Sequence, residues 1–443
     1  MPTTRSRLGC KRCKKFRIKC DEGKPQCGKC GKDDEKCVYE VSLKWTTPQK
    51  LHITAHDQLL PRPTSLSFND TLVISGGVRN FLISREGNLQ FLDQLTEIQV
   101  KAVEKFFKES SLMLLHASTP RELFYDIFCA LVQSRAGLFS AMAFQAIFDD
   151  RSDYYLENSA SAMKEYRKLL SLPKKQNTIE TFVAGIIILC CSFCVADRWV
   201  DHMQFLRHIL DSSLQSWINC GVSERLICFV LDTAGLYDRD ITTLSSIKAI
   251  HTSNIWEKYC LDRLEPQRCY VSGLPRSFST VISKLRWYPE LDQSLQGYPQ
   301  LEIDLWTWND VCDVDTAIFT DLWRYAALIH VSKFLDKPPE ELKSLTVRCL
   351  ASLQTFQNHF ENKPERVLYP VAFPVFVLGC SDALSDYGRI VIRAFVIEHT
   401  RGYKLLHEVT LLVMKMLDYM WDHPGVGYQQ YLTTHGIDSI FLF

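Results

Sequence analysis

Six of the 17 cysteines lie between positions 10 and 37. They are Cys10, Cys13, Cys20, Cys27, Cys30 and Cys37, spaced C-x2-C-x6-C-x6-C-x2-C-x6-C. Moving the first three along by 17 residues places them on the second three, an internal repeat of a metal-ligand unit. A structural zinc ion takes four thiolates in a tetrahedron. Six sulfurs complete two such sites only if two are shared, and the repeat points to the two that begin the units, Cys10 and Cys27. One zinc then takes Cys10, Cys13, Cys20 and Cys27; the other takes Cys27, Cys30, Cys37 and Cys10. Two Zn2+ ions and six thiolates carry a net charge of about −2, which the surrounding Lys and Arg offset.

The rival chemistry is a disulfide framework of three bridges. The start, MPTTRSRLGC, has no apolar stretch and reads as no secretory signal. The other cysteines fall mostly in apolar stretches. Both points fit a reducing compartment, where such a lattice indicates metal. A segment of about 40 residues with almost no aliphatic side chains cannot bury a core, so metal binding must supply its folding energy.

The stretch G-C-K-R-C-K-K-F-R-I-K-C-D-E-G-K-P-Q-C-G-K-C carries these cysteines together with a basic loop, Asp21 and Pro25. It resembles the DNA-binding domain of the fungal binuclear zinc-cluster (Zn2Cys6) transcription factors. The likeness extends over residues 8 to 40, under a tenth of the chain. It implies a small metal-stabilised domain of two short helices with two zinc ions as cofactor. It also implies double-stranded DNA as partner and a nuclear, non-enzymatic role in RNA polymerase II-dependent transcription regulation.

The two units differ in charge. Between Cys10 and Cys20 stand Lys11, Arg12, Lys14, Lys15, Arg17 and Lys19, with no acid. Between Cys27 and Cys37, Lys29, Lys32 and Lys36 are cancelled by Asp33, Asp34 and Glu35. Phosphate repels the carboxylate run Asp33-Asp34-Glu35, so the first unit is expected to face DNA. In this family a short helix enters the major groove. The resemblance places base contacts in K-K-F-R-I-K, with Arg17 as chief reader and Lys15 or Lys19 assisting. Lys11, Arg12 and Lys14 are expected on phosphates; Arg5 and Arg7 are a backbone arm or a basic end. Phe16 departs from the family, which usually has Arg or Lys there. A ring cannot donate to guanine but can pack on a thymine methyl; the other reading is that it covers the cluster.

The rest of the chain must carry and position this head. Apolar residues make up 46% and charged residues 23%, which excludes a collagen-like, wholly disordered or coiled-coil chain. Net charge is zero, yet residues 1 to 50 hold 14 Lys and Arg against 6 Asp and Glu. The head is therefore +8 and the remainder −8, the asymmetry of a head that meets a polyanion. Residues 41 to 89, with Pro48, Pro61 and Pro63, read as linker. No heptad runs through it, so a monomer, or a homodimer made through the body, is expected.

Residues 90 to 443 read as one large all-helical domain. Apolar residues recur at helical intervals at Leu95, Ile98, Ala102 and Phe106; at Ile318, Leu322, Tyr325 and Ile329; and at Leu405, Val409, Leu412 and Met416. The stretch from about 262 to 305, with Pro266, Gly273, Pro275, Pro289, Gly297 and Pro299, reads as an irregular connection. The apolar run Phe182 to Ala196 is too short to span a membrane and reads as a core helix. The body resembles the fungal-specific transcription factor regulatory domain. The likeness rests on Ala143 to Ile147 before Tyr154 and Ala162, on Trp199 and His202, and on Pro374, Gly379, Cys380, Arg389 and Trp421. Phe205 and Leu206 stand where that family has a small Gly-Ala pair. The resemblance implies co-regulators and a small apolar effector as further partners.

Other motifs read as decoys. Gly23 to Cys30 lacks the Ser or Thr of a phosphate loop. Asp149, Asp150 and Asp153 form the D-D-x-x-D of terpene cyclases, the basis of the alternative reading as a helical enzyme or ligand-binding protein. The second metal motif is incomplete in Asn309-Asp310-Val311-Cys312-Asp313. Cys191 and Cys194 have redox spacing but sit in the most apolar helix. The stretch from Asp418 to Tyr431 is a co-activator contact or an ordinary helix end.

Overall fold

The computed structural model describes residues 11–16, 18, 20–21, 27–32, 95–109, 114–116, 119–149, 151–194, 200–244, 255–259, 267–285, 294–310, 312–361, 371–399 and 404–435. The chain divides into two compact units, Met1–Thr47 and Pro48–Phe443. The first contains two one-turn helices, α1 (Lys11–Lys15) and α2 (Gly28–Lys32). The expected linker, residues 41–89, lies outside the described residues.

The second unit is largely helical. Its helices are α3 (Glu97–Lys108), α4 (Arg121–Val132), α5 (Arg135–Phe148), α6 (Ser152–Ser171), α7 (Ile179–Cys194), α8 (Val200–Asn219), α9 (Glu224–Leu244), α10 (Ile255–Lys258), α11 (Arg276–Ile282), α12 (Tyr298–Thr307), α13 (Val314–Phe334), α14 (Pro339–Phe360), α15 (Ala372–Gly379), α16 (Asp386–His399), α17 (Lys404–Asp422) and α18 (Tyr428–Thr434). Among the described residues there is no β-strand; an isolated antiparallel bridge pairs Arg268 with Pro275. Helix starts follow local chemistry. Thr96 and Gln99 form a capping box at α3, Ser134 accepts from the Gly137 amide at α5, and Asp313 accepts from the Thr316 amide at α13.

Among the described residues, two large apolar cores hold the unit, with two smaller clusters. One gathers Phe106, Leu131, Phe144, Phe182, Ile187, Leu210 and Phe229 around α5 and α7. The other gathers Phe278, Phe319, Trp323, Leu353, Phe376 and Leu417 around α13. Trp323 stacks on Phe373 at 4.8 Å between ring centroids. At the sequence boundary of the cores, Arg276 on α11 forms a fully buried ion pair with Asp232 on α9, and the Tyr270 amide donates to the same carboxylate at 2.8 Å.

Several expectations are corrected. In the stripe from Leu95, Phe106 is buried and Leu95 and Ala102 pack partly buried against the core, but Ile98 is 61% exposed and Val103 is the inward residue beside them; α3 starts at Glu97. The connection at 262–305 contains α11 and α12. Pro275 caps α11 and Pro299 lies in the first turn of α12, where a missing N–H costs nothing. Leu206 is buried without the small pair because the space comes from the facing helix. A Cβ on Gly185 would stand 2.6 Å from Leu206 Cδ2 and 2.4 Å from Tyr166 Oη. His202 Nε2 donates to the Gly185 carbonyl at 2.9 Å. Within α7, residues Phe182 to Cys191 are almost entirely buried. Among the described residues no single helix is long and apolar enough to cross a membrane.

Candidate metal centre and nucleic-acid interface

The sequence repeat is also a structural repeat. Shifting α1 by 17 residues gives the bounds of α2. Cys13 and Cys30 occupy equivalent places, each in the third position of its helix. Cys27 stands immediately before α2. The two remaining ligand candidates, Cys10 and Cys37, lie outside the described residues.

Cys13, Cys20, Cys27 and Cys30 are buried and form the core of the head. The Sγ atoms of Cys13, Cys20 and Cys27 lie within 4.8 Å of one another, and among the described residues no other group of three His, Cys, Asp or Glu ligand atoms gathers as closely. Cys13 Sγ and Cys27 Sγ are 3.8 Å apart. Two sulfurs on one tetrahedral zinc, each at about 2.3 Å, are about 3.8 Å apart, whereas a disulfide needs about 2.05 Å. Among the described residues, no disulfide joins the cysteines of the head. This spacing fits shared metal ligation and not a bridge. The Cys30 amide points at Cys27 Sγ from 3.4 Å, a donor that offsets thiolate charge.

A contact from Asp21 fixes the second helix. Its two carboxylate oxygens accept from the Gly28 amide at 3.1 and 2.9 Å. A Cβ at position 28 would stand 2.7 Å from Asp21 Oδ2, so glycine permits the approach. The capping role of Asp21 was not read from the sequence. The available signal was an acid directly after a ligand cysteine, with a glycine opening the next helix.

α1 carries no acidic residue. Lys15 is exposed and Arg12 half-buried. The Arg12 guanidinium lies 5.6 Å, and the Lys15 ammonium 5.9 Å, from the centre of the Phe16 ring. That ring is 61% exposed and Ile18 is 43% exposed. Phe16 therefore does not serve as a cover for the cluster, one of its two expected roles. Lys11 and Lys14 belong to α1, but their side chains lie outside the described residues, as do Arg17 and Lys19 entirely.

Residues 8–46 match the family model of the fungal Zn(2)-Cys(6) binuclear cluster domain. The Zn2Cys6 cluster binds two zinc ions and belongs to DNA-binding transcription regulators. The match covers the head alone, and no family model supports the regulatory-domain resemblance of the body. No curated protein and no solved structure matches the chain.

The decoys are engaged elsewhere. Within Gly23 to Cys30, Cys30 is buried with the cluster sulfurs. Lys105 pairs with Asp149, which also accepts from Gln145 Nε2 at 3.0 Å. Asp153 is exposed, and Asp150 lies outside the described residues. Asp313 caps α13 and pairs with Arg268. Partial burial opposes ionisation there, but the bonds from Arg268 and Thr316 prevail and hold the carboxyl down at about 2. Cys191 Sγ points at the Ser140 carbonyl from 3.8 Å, inside the core. Of the motif residues quoted for the body, Trp421 Nε1 donates to the Gly379 carbonyl at 2.8 Å and Arg389 lies 5.7 Å from the Trp421 ring, while Trp199 lies outside the described residues. In the tail, Asp418 accepts from Arg393 at 2.6 Å, and Tyr419 packs on Tyr431.

Proposed function

We propose that this protein is a nuclear, sequence-specific DNA-binding transcription regulator that lays α1 in the major groove. The observation that carries the reading is the ligand-like spacing of Cys13 and Cys27 beside a cationic, acid-free helix. Bound zinc supplies folding energy and fixes the backbone around the cysteines. The chain's own side chains do the rest. Lys11, Arg12 and Lys14 neutralise phosphates and set the register, releasing counterions as they do so. Arg17 donates to guanine O6 and N7, with Lys15 or Lys19 at a neighbouring base. The second unit completes the metal core. The body serves as the regulatory part of the chain, open to co-regulators and a small apolar effector.

The test is selection of bound sequences from random duplexes by the full-length protein, with and without chelator. Enrichment of one motif that chelation abolishes is expected. Arg17→Ala should relax base preference at one position. Lys14→Ala should weaken all sequences alike and reduce the salt slope by about 1. Equal losses on every sequence for both variants would remove the assigned roles, and unselective binding would remove the function.

A further inference from the structure

Among the described residues of the head, Phe16 and Ile18 stand out as large apolar side chains turned to solvent, 61% and 43% exposed. Their backbone is held firmly. The Phe16 amide donates to the Arg12 carbonyl and the Ile18 amide to the Cys13 carbonyl, each at 3.0 Å. Both are thus tied to the helix whose Cys13 belongs to the sulfur cluster. Arg12 and Lys15 flank the ring of Phe16.

A partner that covers two apolar side chains standing in water on a cationic surface gains favourable burial. That partner must offer negative charge to the flanking cations and an apolar group to the pair. A DNA duplex offers both. Its phosphates meet the cations, and the edges exposed in the major groove include one apolar group, the C5-methyl of thymine.

We propose that Phe16 and Ile18 form a clamp for a pyrimidine C5-methyl group, next to the bases taken by the basic residues. The inference rests on the DNA-binding reading and deepens it. Neither side chain donates or accepts a hydrogen bond, so the pair recognises the methyl itself. Thymine and 5-methylcytosine carry this methyl at the same place in the groove; uracil and cytosine lack it. A head built this way distinguishes methylated from unmethylated pyrimidine at one position.

The experiment uses zinc-loaded full-length protein and the duplex it selects. Each thymine in the bound site is replaced in turn by uracil, and affinity is measured at one salt concentration. At one position uracil should bind about fourfold more weakly, the worth of one buried methyl. At that position 5-methylcytosine should bind about fourfold more tightly than cytosine. In the Phe16→Ala, Ile18→Ala double variant, and partly in Phe16→Ala alone, both differences should vanish while zinc content and salt dependence stay unchanged. Equal binding of uracil and thymine at every position would overturn the clamp and leave selective, zinc-dependent binding standing. A thymine–uracil difference without a 5-methylcytosine–cytosine difference would also overturn it. Absence of selective binding would remove the DNA-binding reading and the clamp with it.

Discussion

The head and the body are held together by different physics. In the head, the described core consists of four buried cysteines, three of which bring their sulfurs to metal-ligand distances. In the body, two clusters of large apolar side chains close around α5, α7 and α13. A core of thiols cannot replace hydrophobic burial, so the head's fold is conditional on its metal. The body's fold depends on apolar area, and its few buried charges are paired within it. The contrast also separates tasks. A small, metal-locked head can expose cations and apolar side chains to a partner because its stability does not depend on burying them.

This contrast can be broken, and the largest effect should come from metal removal. Structural zinc in small domains supplies about 10–16 kcal/mol. A chelator should make the first 50 residues protease-sensitive and leave the body's helical circular dichroism intact. Loss of body helix at the same chelator concentration would show that the two regions are not energetically separate.

Next comes the buried Asp232–Arg276 pair. Arg276→Met leaves a carboxylate buried without its partner, a loss of about 3–5 kcal/mol. The body's thermal midpoint should fall while zinc stoichiometry is unchanged, and Asp232→Leu combined with Arg276→Met should recover much of the loss. If the single variant were neutral, the junction between the cores would owe little to this pair.

The smallest effect per side chain is acid sensitivity. Burial pushes the imidazoles of His116 and His202 down to about 4 from an ordinary 6.5, with Arg268 adding to the effect at His116. Between those values the unfolded chain binds more protons than the folded one. Body stability is therefore highest above pH 6.5 and falls as pH drops toward 4, by on the order of 3 kcal/mol per histidine. Denaturant titrations of the body signal at pH 7 and at about 4.5 measure this. Zinc release, followed separately, reports thiolate protonation in the head. A body signal that tracks zinc release and not the histidines would erase the distinction.

The cysteine lattice was readable because metal ligation imposes fixed residue types at fixed intervals, and the 17-residue repeat in the cysteines reappears as the matching bounds of α1 and α2. The helical character of the body was readable from its periodicity. The orientation of individual helices was less so. Ile98 fits a helical stripe by spacing yet faces water, because spacing does not reveal where a helix begins or which neighbours it meets. Prolines at 275 and 299 read as breakers yet open helices, because the N–H that proline lacks is needed in a helix interior and not in its first turn.

The order of residue types along the chain established the thiol pattern, the cationic first unit, the charge-balanced second unit and a helical remainder, since each follows from local chemistry or from periodicity. Long-range packing established what no local pattern contains. It placed Asp21 over the start of α2, matched Gly185 to Leu206 and Tyr166, paired Asp232 with Arg276 in the interior, and turned Phe16 and Ile18 outward. Exposure, pairing and steric fit depend on which distant segments meet, and that is settled when the chain closes on itself.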